Sequence, residues 1–542
     1  MKSTFYKILL LIFLVFNLGL GSFGLSESSE ARYAEISREM VKTGDYLRPN
    51  LLGINHYHKP PVAYYITALG YQIFGINEFG ARFFLGIALL LQVYLIFRIG
   101  RILFKEEKVA IASALIYLSF PIVLIAARNL TTDAYLTTFI LWSIYLWLQN
   151  RVNQSKIWLY GFYTVLGLAF LTKGPVVILP VIMFIASFLI IRKQKLQLSI
   201  HDFLGIVLFL LISASWFVAI IIDNPKLWEY FIQKQIVERA TDAEKFHRSK
   251  PFWYYLLFGP LVGLPWVFFL VIGYFKNYKE QVKNNNMIKV LAFVSLILFV
   301  IFSAFSSKLI LYILPIYPYL SLLGGYLIYQ VSEVKLKWFS KVYIFLLGVL
   351  IIGLVAANFI PNISMELLYT IPLILLVAGI IIYFAKYSKF EGPQKLLYLG
   401  VSFILCLILT HTLFSSSNPY KVNSVKDLIG FVKEKKGKDL NRLIIYDYLL
   451  PSASFYLDEK IVTVHNESFP TKREIQFEEG DEYQKDFIDL NLEEGAQHFQ
   501  NLMDQNNNVL IERARHPMPD SLRYLLKKYN HEQQIDKWIV HY

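Results

Sequence analysis

Thirteen apolar runs, most of them close to 20 residues long, fill the first 414 residues of this 542-residue chain. They lie near 5–24, 80–103, 109–127, 130–149, 156–172, 174–191, 203–222, 252–275, 288–305, 308–329, 339–360, 365–386 and 395–414. About 20 residues of helix match the roughly 30 Å hydrocarbon core of a bilayer, so each run reads as a membrane span. The expected fold is a polytopic α-helical membrane protein of about 13 transmembrane helices, with amphipathic helices in its outward loops. The first run has a charged start at Lys2 and Lys7, as in a secretory signal, but has no small-x-small cleavage site. An uncleaved first span is expected.

The formal net charge of +13 is unevenly placed. Residues 1–414 hold 36 Lys+Arg against 19 Asp+Glu, and residues 415–542 hold 17 against 21. A basic excess confined to the hydrophobic part orients a membrane protein and leaves no basic module for nucleic acid. Lys105 and Lys108, Arg151 and Lys156, "RKQK" at 192–195, the lysines from 276 to 289, "KLKWFSK" at 335–341, and Lys386, Lys389 and Lys395 all fall on one side of the spans. Lys2 and Lys7 share that side, which is then the cytoplasm. An odd span count is expected to place the C-terminal segment on the outer side. The single cysteine, Cys406, excludes an intramolecular disulfide.

Residues 1–414 are expected to form the membrane domain, with two long outward segments at 25–79 and 223–251. In the first, "EARYAEISREMVKTG" has apolar residues at 33, 36, 40 and 41 and a stop at Gly44, the pattern of an amphipathic helix. The simplest reading lays it along the membrane surface. Residues 415–542 alternate short apolar strands with polar helices and are expected to form a small α/β domain. No metal spacing, Gly-rich phosphate loop or nucleophile elbow occurs there. Neither an internal repeat nor paired broken helices of the transporter kind are expected.

Polar groups gather at the outward ends. Glu30, Arg32, Tyr33 and Glu35 precede His56, His58 and Lys59; "AARNLTTDAY" carries Arg128 and Asp133; "ERATDAEKFHRSKPFWYY" carries His247; Lys173 and Lys308 stand at span junctions. Such groups suit chemistry on a lipid-linked anionic substrate, where cations neutralise phosphate and a carboxylate or metal assists transfer. One cation at a span end is ordinarily a snorkelling anchor, whereas Asp133 beside an apolar run is costly without a partner or task. His-x-His presents two imidazoles on one face, short of the three or four ligands of a stable metal site.

The stretch "SEARYAEISREMVKTGDYLRPNLLGINHYHKPPVAYYITALGYQIFGINEFGAR" resembles the first periplasmic loop of bacterial aminoarabinose transferases and of membrane glycosyltransferases related to protein O-mannosyltransferases. "LTKGP", "HRSKPFWYYLLFGPLVGLPW" and "SKLILYILPIYPYLSLLGG" extend the resemblance to about residue 330. It implies an inner-membrane enzyme that moves a sugar from a polyprenyl-phosphate donor to a lipid, glycan or protein acceptor, by inverting single displacement. By matching positions, the resemblance implies that Lys59 would hold the donor phosphate, Tyr312 would hydrogen-bond it, and Arg32 and Tyr33 would line the cavity. Arg128, Lys173 and Lys308 are further candidates for that cavity. The resemblance also implies a divalent, zinc-like metal bound by His58 and His247. Two positions depart from the family pattern: Ser29 replaces its first acidic residue and His58 its glutamate before the lysine. The first leaves Glu30 or Asp133 as catalytic base, or points to a phosphate-like acceptor that needs none. A monomer is expected. The alternative reading is a transporter or flippase for a lipid-linked anion.

Overall fold

Each of the thirteen apolar runs carries a helix, but the helices are not equal. The computed structural model describes residues 2–27, 29–233, 249–273, 283–466 and 468–542. Among these, seven helices are long and apolar enough to cross a membrane, or up to nine if each of two bent pairs counts as one span. The other four runs fall short for visible reasons. Lys2–Asn17 and Ile178–Ile191 are too short, while Thr132–Asn153 and Lys156–Lys173 carry polar residues such as Asp133, Gln149 and Thr164 along their length. The chain is a multi-pass membrane protein.

The two bent pairs differ from the expectation of unbroken helices. Glu107–Leu118 and Pro121–Arg128 meet at 63°, and Tyr254–Val262 and Trp266–Gly273 at 111°. Proline explains the first break, since Pro121 has no N–H to continue the ladder and stands where a new helix starts. A break at membrane depth is tolerated only where protein covers the loose backbone. Here Trp266 Nε1 donates to Ser119 Oγ at 2.7 Å, so a residue at one break holds a residue at the other, and both are buried.

The chain forms two compact units. One comprises Met1–Leu20, Pro60–Ala63 and Arg82–Phe414; the other comprises Gly21–Lys59, Tyr64–Ala81 and Ser415–Tyr542. Most of residues 25–79 therefore fold with the C-terminal segment. In this second unit a hairpin of β1 (Asn50–Leu51) and β2 (Ile54–Asn55) turns on Leu52 and Gly53, both left-handed, as a two-residue primed turn requires. The C-terminal segment supplies β3 (Leu443–Tyr446), β4 (Val462–His465), β5 (Phe487–Asp489), β6 (Val509–Arg513), β7 (Glu532–Ile535) and β8 (Trp538–His541). They form one sheet in the order β5-β4-β3-β6-β8-β7. The first four strands in that order are parallel and β8 and β7 are antiparallel additions.

The parallel strands are apolar on both faces, as burial from two sides demands. Ile444, Val462, Val464 and Leu510 pack on one face with Phe499 and Met503. Leu443, Ile445, Val509 and Ile511 pack on the other, together with Ile36, Met40, Leu51, Leu52 and Ile54 of the first loop. The amphipathic helix Ser29–Thr43 thus covers protein rather than lying on a membrane, and each large apolar side chain so buried contributes about 1.5–3 kcal/mol. Arg38 fixes its position. The guanidinium makes a two-pronged bond to Glu35 at 2.7 Å and reaches Asp458 at 3.0 Å and Ser454 Oγ at 3.1 Å.

Glu39, one turn from Glu35, accepts the Gly53 N–H at 3.1 Å. Burial, and then the charge of Glu35, push its carboxyl up to about 8 from an ordinary 4.5. A carboxyl raised in the folded state holds its proton more tightly there than in the unfolded chain. Folding stability therefore falls as pH rises through this window. Glu39→Gln is expected to flatten that fall and to raise Tm at pH 8 by about 2 °C or more. A Tm profile parallel to the parent's would contradict the assignment.

Candidate active site

The β1–β2 hairpin delivers His56, whose N–H donates to Pro49 O at 2.7 Å and so extends the ladder one step. His58 follows on the same side. Facing both is Glu474, from the short helix Phe469–Ile475 that follows β4. His56 Nδ1 donates to Glu474 Oε2 at 2.7 Å, and His58 Nε2 lies 3.3 Å from the same oxygen. The two imidazole rings are 4.8 Å apart. All three side chains are buried, at 1%, 4% and 1% exposure. Arg32 Nη2 stands 3.8 Å from Glu474 Oε1, an oxygen that has no hydrogen-bond partner.

Burial lowers the affinity of both histidines for a proton, and the Glu474 charge offsets this only in part. Burial would raise the Glu474 carboxyl, but His58, His56 and Arg32 together hold it well below the usual carboxylate range. Burial thus favours the neutral form of each imidazole, and the neighbouring groups favour the ionised form of Glu474. Their ligand atoms lie within 4.8 Å of one another, the only such group among the described residues. Two neutral histidines and one glutamate are the donor set of many zinc sites, and the spare Glu474 oxygen leaves a lone pair to bind with. The residues fit a divalent ion.

The rest of the loop surrounds this cluster. The rings of Tyr33 and Tyr64 are 5.3 Å apart, and Lys59 is half-buried next to His58. Glu30 is buried, and its carboxylate accepts the Ser26 N–H at 2.9 Å, closing the turn that enters Ser29–Thr43.

In the membrane unit, Asp133 and Lys173 meet where two helices end. Asp133 lies in the first turn of Thr132–Asn153 and Lys173 in the last turn of Lys156–Lys173, each at the terminus whose dipole favours its charge. Their side chains are 2.5 Å apart and about nine-tenths buried. The Lys173 ammonium also sits 4.1 Å from the centre of the Tyr312 ring. Asp133 is thus an ion-pair partner first and an open base only if Lys173 moves.

Two other expected phosphate ligands face protein. Arg128 donates to Phe16 O at 2.9 Å, to Leu18 O at 3.3 Å and to Thr412 Oγ1 at 2.8 Å, satisfying carbonyls at the end of Lys2–Asn17. Lys308 donates to Lys250 O at 2.9 Å and to Phe305 O. Arg128→Ala strands those acceptors, and is expected to lower Tm by several degrees while leaving KM for the donor unchanged. A raised KM with an unchanged Tm would return Arg128 to the substrate.

His247 lies outside the described residues. Sequence reading placed His58 in a metal site but missed Glu474, whose surroundings, "TKREIQF", hold no spacing that marks a ligand. Only the fold brings it to the His-x-His pair.

Residues 58–218 match the model of the dolichyl-phosphate-mannose-protein mannosyltransferase family. The chain is 34% identical over 301 residues to the undecaprenyl phosphate-alpha-4-amino-4-deoxy-L-arabinose arabinosyl transferase of Aeromonas hydrophila, covering 54% of each chain. It is 32% identical over 331 residues to that of Yersinia enterocolitica, covering 60% of this chain and 59% of the relative. The matched region thus spans little more than half the length of these curated relatives. The fold is similar over 100% of this chain to crystal structures of ArnT from Cupriavidus metallidurans. The TM-score is 0.78 for the apo state at 21% identity, and 0.77 for the form bound to undecaprenyl phosphate at 22%. Over a little more than half its length the chain is thus similar in sequence to aminoarabinose transferases, and over its whole length it is similar in fold to ArnT.

Proposed function

We propose that the protein is an inner-membrane glycosyltransferase, moving a sugar from a polyprenyl-phosphate donor to an acceptor on the outer side. Its N-terminus is then cytoplasmic and its C-terminal sheet periplasmic. The observation that carries this reading is the family match beginning at His58, directly before Lys59-Pro60-Pro61. The acceptor oxygen attacks the anomeric carbon as the bond to the donor phosphate breaks, and polyprenyl phosphate leaves with the electron pair. Lys59 neutralises charge on the departing phosphate, which grows in the transition state. Arg32 and Tyr33 line the sugar side. His56, His58 and Glu474 would hold a zinc-like ion, which when bound supplies a positive charge beside the anionic substrate.

A hydroxyl acceptor must lose a proton to a base within hydrogen-bond reach, whereas a phosphate is already anionic. Both candidate bases are engaged, Glu30 by Ser26 and Asp133 by Lys173. That supports a phosphate-like acceptor. Purified protein supplied with a synthetic polyprenyl-phosphate pentose is expected to release polyprenyl phosphate only when acceptor is added. Release that ignores every phosphate and hydroxyl acceptor would contradict the reading. Glu30→Gln and Asp133→Asn separate the acceptor types. Transfer to a phosphate should survive Glu30→Gln within about threefold, and a loss above about 100-fold would make Glu30 the base.

A further inference from the structure

We infer that the C-terminal sheet carries a binding site of its own for a phosphate monoester, at the carboxyl ends of β3 and β6 between Tyr448, Arg513 and Trp538. Strands β3 and β6 are neighbours at the point where chain order reverses in the sheet, since β4 and β5 lie beyond β3 on the other side. In open parallel sheets ligands bind in the crevice outside the strand ends at such a reversal. Arg513 is the last residue of β6, and Trp538, the first of β8, pairs with it directly. The Arg513 guanidinium lies 3.8 Å from the centre of the Tyr448 ring and 5.4 Å from that of Trp538.

Two donors in this crevice lack acceptors. Arg513 Nε and Trp538 Nε1 are both buried and neither has a hydrogen-bond partner, and Trp538 is only 1% exposed. An arginine Nε–H and an indole N–H can only donate, so the missing group is an acceptor. Leaving such donors unmet costs more than an ordinary hydrogen bond returns.

The surroundings choose the charge of that acceptor. Lys537 adjoins Trp538, and burial and then Arg513 depress its ammonium. Two carboxylates also act here, Asp536 on its neighbour Lys537 and Glu27 on both Lys537 and Tyr448, and Glu27 is engaged by the Ser452 N–H at 3.2 Å and by the Ser452 hydroxyl. Arg513, with Lys537 bonded to Asn423 Oδ1 beside it, suits an anion at the two unmet donors, and a guanidinium set against an aromatic ring offers the paired N–H groups that phosphate accepts. All of these residues belong to the second unit, so the site needs no part of the membrane unit.

The test uses the full chain with a Lys59→Ala substitution, which removes the cation assigned to the donor and leaves this crevice untouched. Two probes separate the sources of the phosphate: glucose 1-phosphate in detergent solution, and phosphatidic acid in nanodiscs measured against phosphatidylcholine. Saturable binding of either supports the site, and the probe that binds names a soluble or a lipid-borne ligand. Arg513→Gln and Trp538→Phe are each expected to weaken that binding about tenfold. Unfolding temperature without ligand is measured alongside, and Arg513→Gln decides the matter if Trp538→Phe fails to fold. Binding of neither probe overturns the inference. So do equal binding of glucose, binding unmoved by Arg513→Gln in a folded protein, and a crystal structure in which water alone joins Arg513 Nε to Trp538 Nε1. Because no turnover is read, failure here leaves the transferase reading standing, and the reverse also holds.

Discussion

Lys59→Ala is expected to lower kcat/KM for sugar transfer by about 10²–10³-fold, the usual loss when one preorganised charge is taken from a developing anion. Lys59 is half-buried, follows the fixed His56–His58 segment, and precedes two prolines that set φ at positions 60 and 61. A flexible side chain is thereby anchored on a stiff backbone, and its charge is held in place without being sealed off. Partial exposure also means that the substitution spares the fold, so Tm should stay within about 2 °C of the parent. Lys59→Arg keeps the charge and should recover part of the rate. If Lys59→Ala turns over within twofold of the parent, Lys59 has no role at the phosphate.

The second large effect is at Glu474. With a divalent ion bound by His56, His58 and Glu474, the purified protein should carry about one ion per chain by elemental analysis. Glu474→Gln removes the anionic ligand, and metal affinity should fall by more than the roughly 10–100-fold that loss of an outer-shell partner costs. Acid should act in the same direction. Both histidines have lowered affinity for protons and Glu474 is held ionised, so the stability of this cluster is present above pH 6.5 and is lost as pH falls below it. A protein without metal at neutral pH, whose Tm ignores chelator, would make the cluster a buried ion pair and nothing more.

The sequence disclosed those parts of this structure that depend on local pattern. Apolar run length gave the membrane helices, and the spacing of Ile36 and Met40 with Gly44 gave the helix Ser29–Thr43. The same spacing says only that one face needs cover. It cannot say whether lipid or protein provides it, and here the cover is a sheet formed some 400 residues later. The His56–Glu474 contact joins positions 418 apart, and no local signal marks the glutamate. Arg128 shows the converse. A cation at a span end reads alike whether it meets lipid, phosphate or the carbonyls of Phe16 and Leu18, and only the fold separates these. The helix break at Pro121 was visible as a residue but hidden inside an apolar run counted by length.

The transferase account is tested most directly by mass spectrometry of lipid A and envelope glycans from native cells with and without the gene. The account predicts that one acceptor species loses a single sugar residue when the gene is deleted, and regains it with the parent chain but not with Lys59→Ala. Identical glycan and lipid A profiles in the two strains, with the donor sugar present in both, would contradict it.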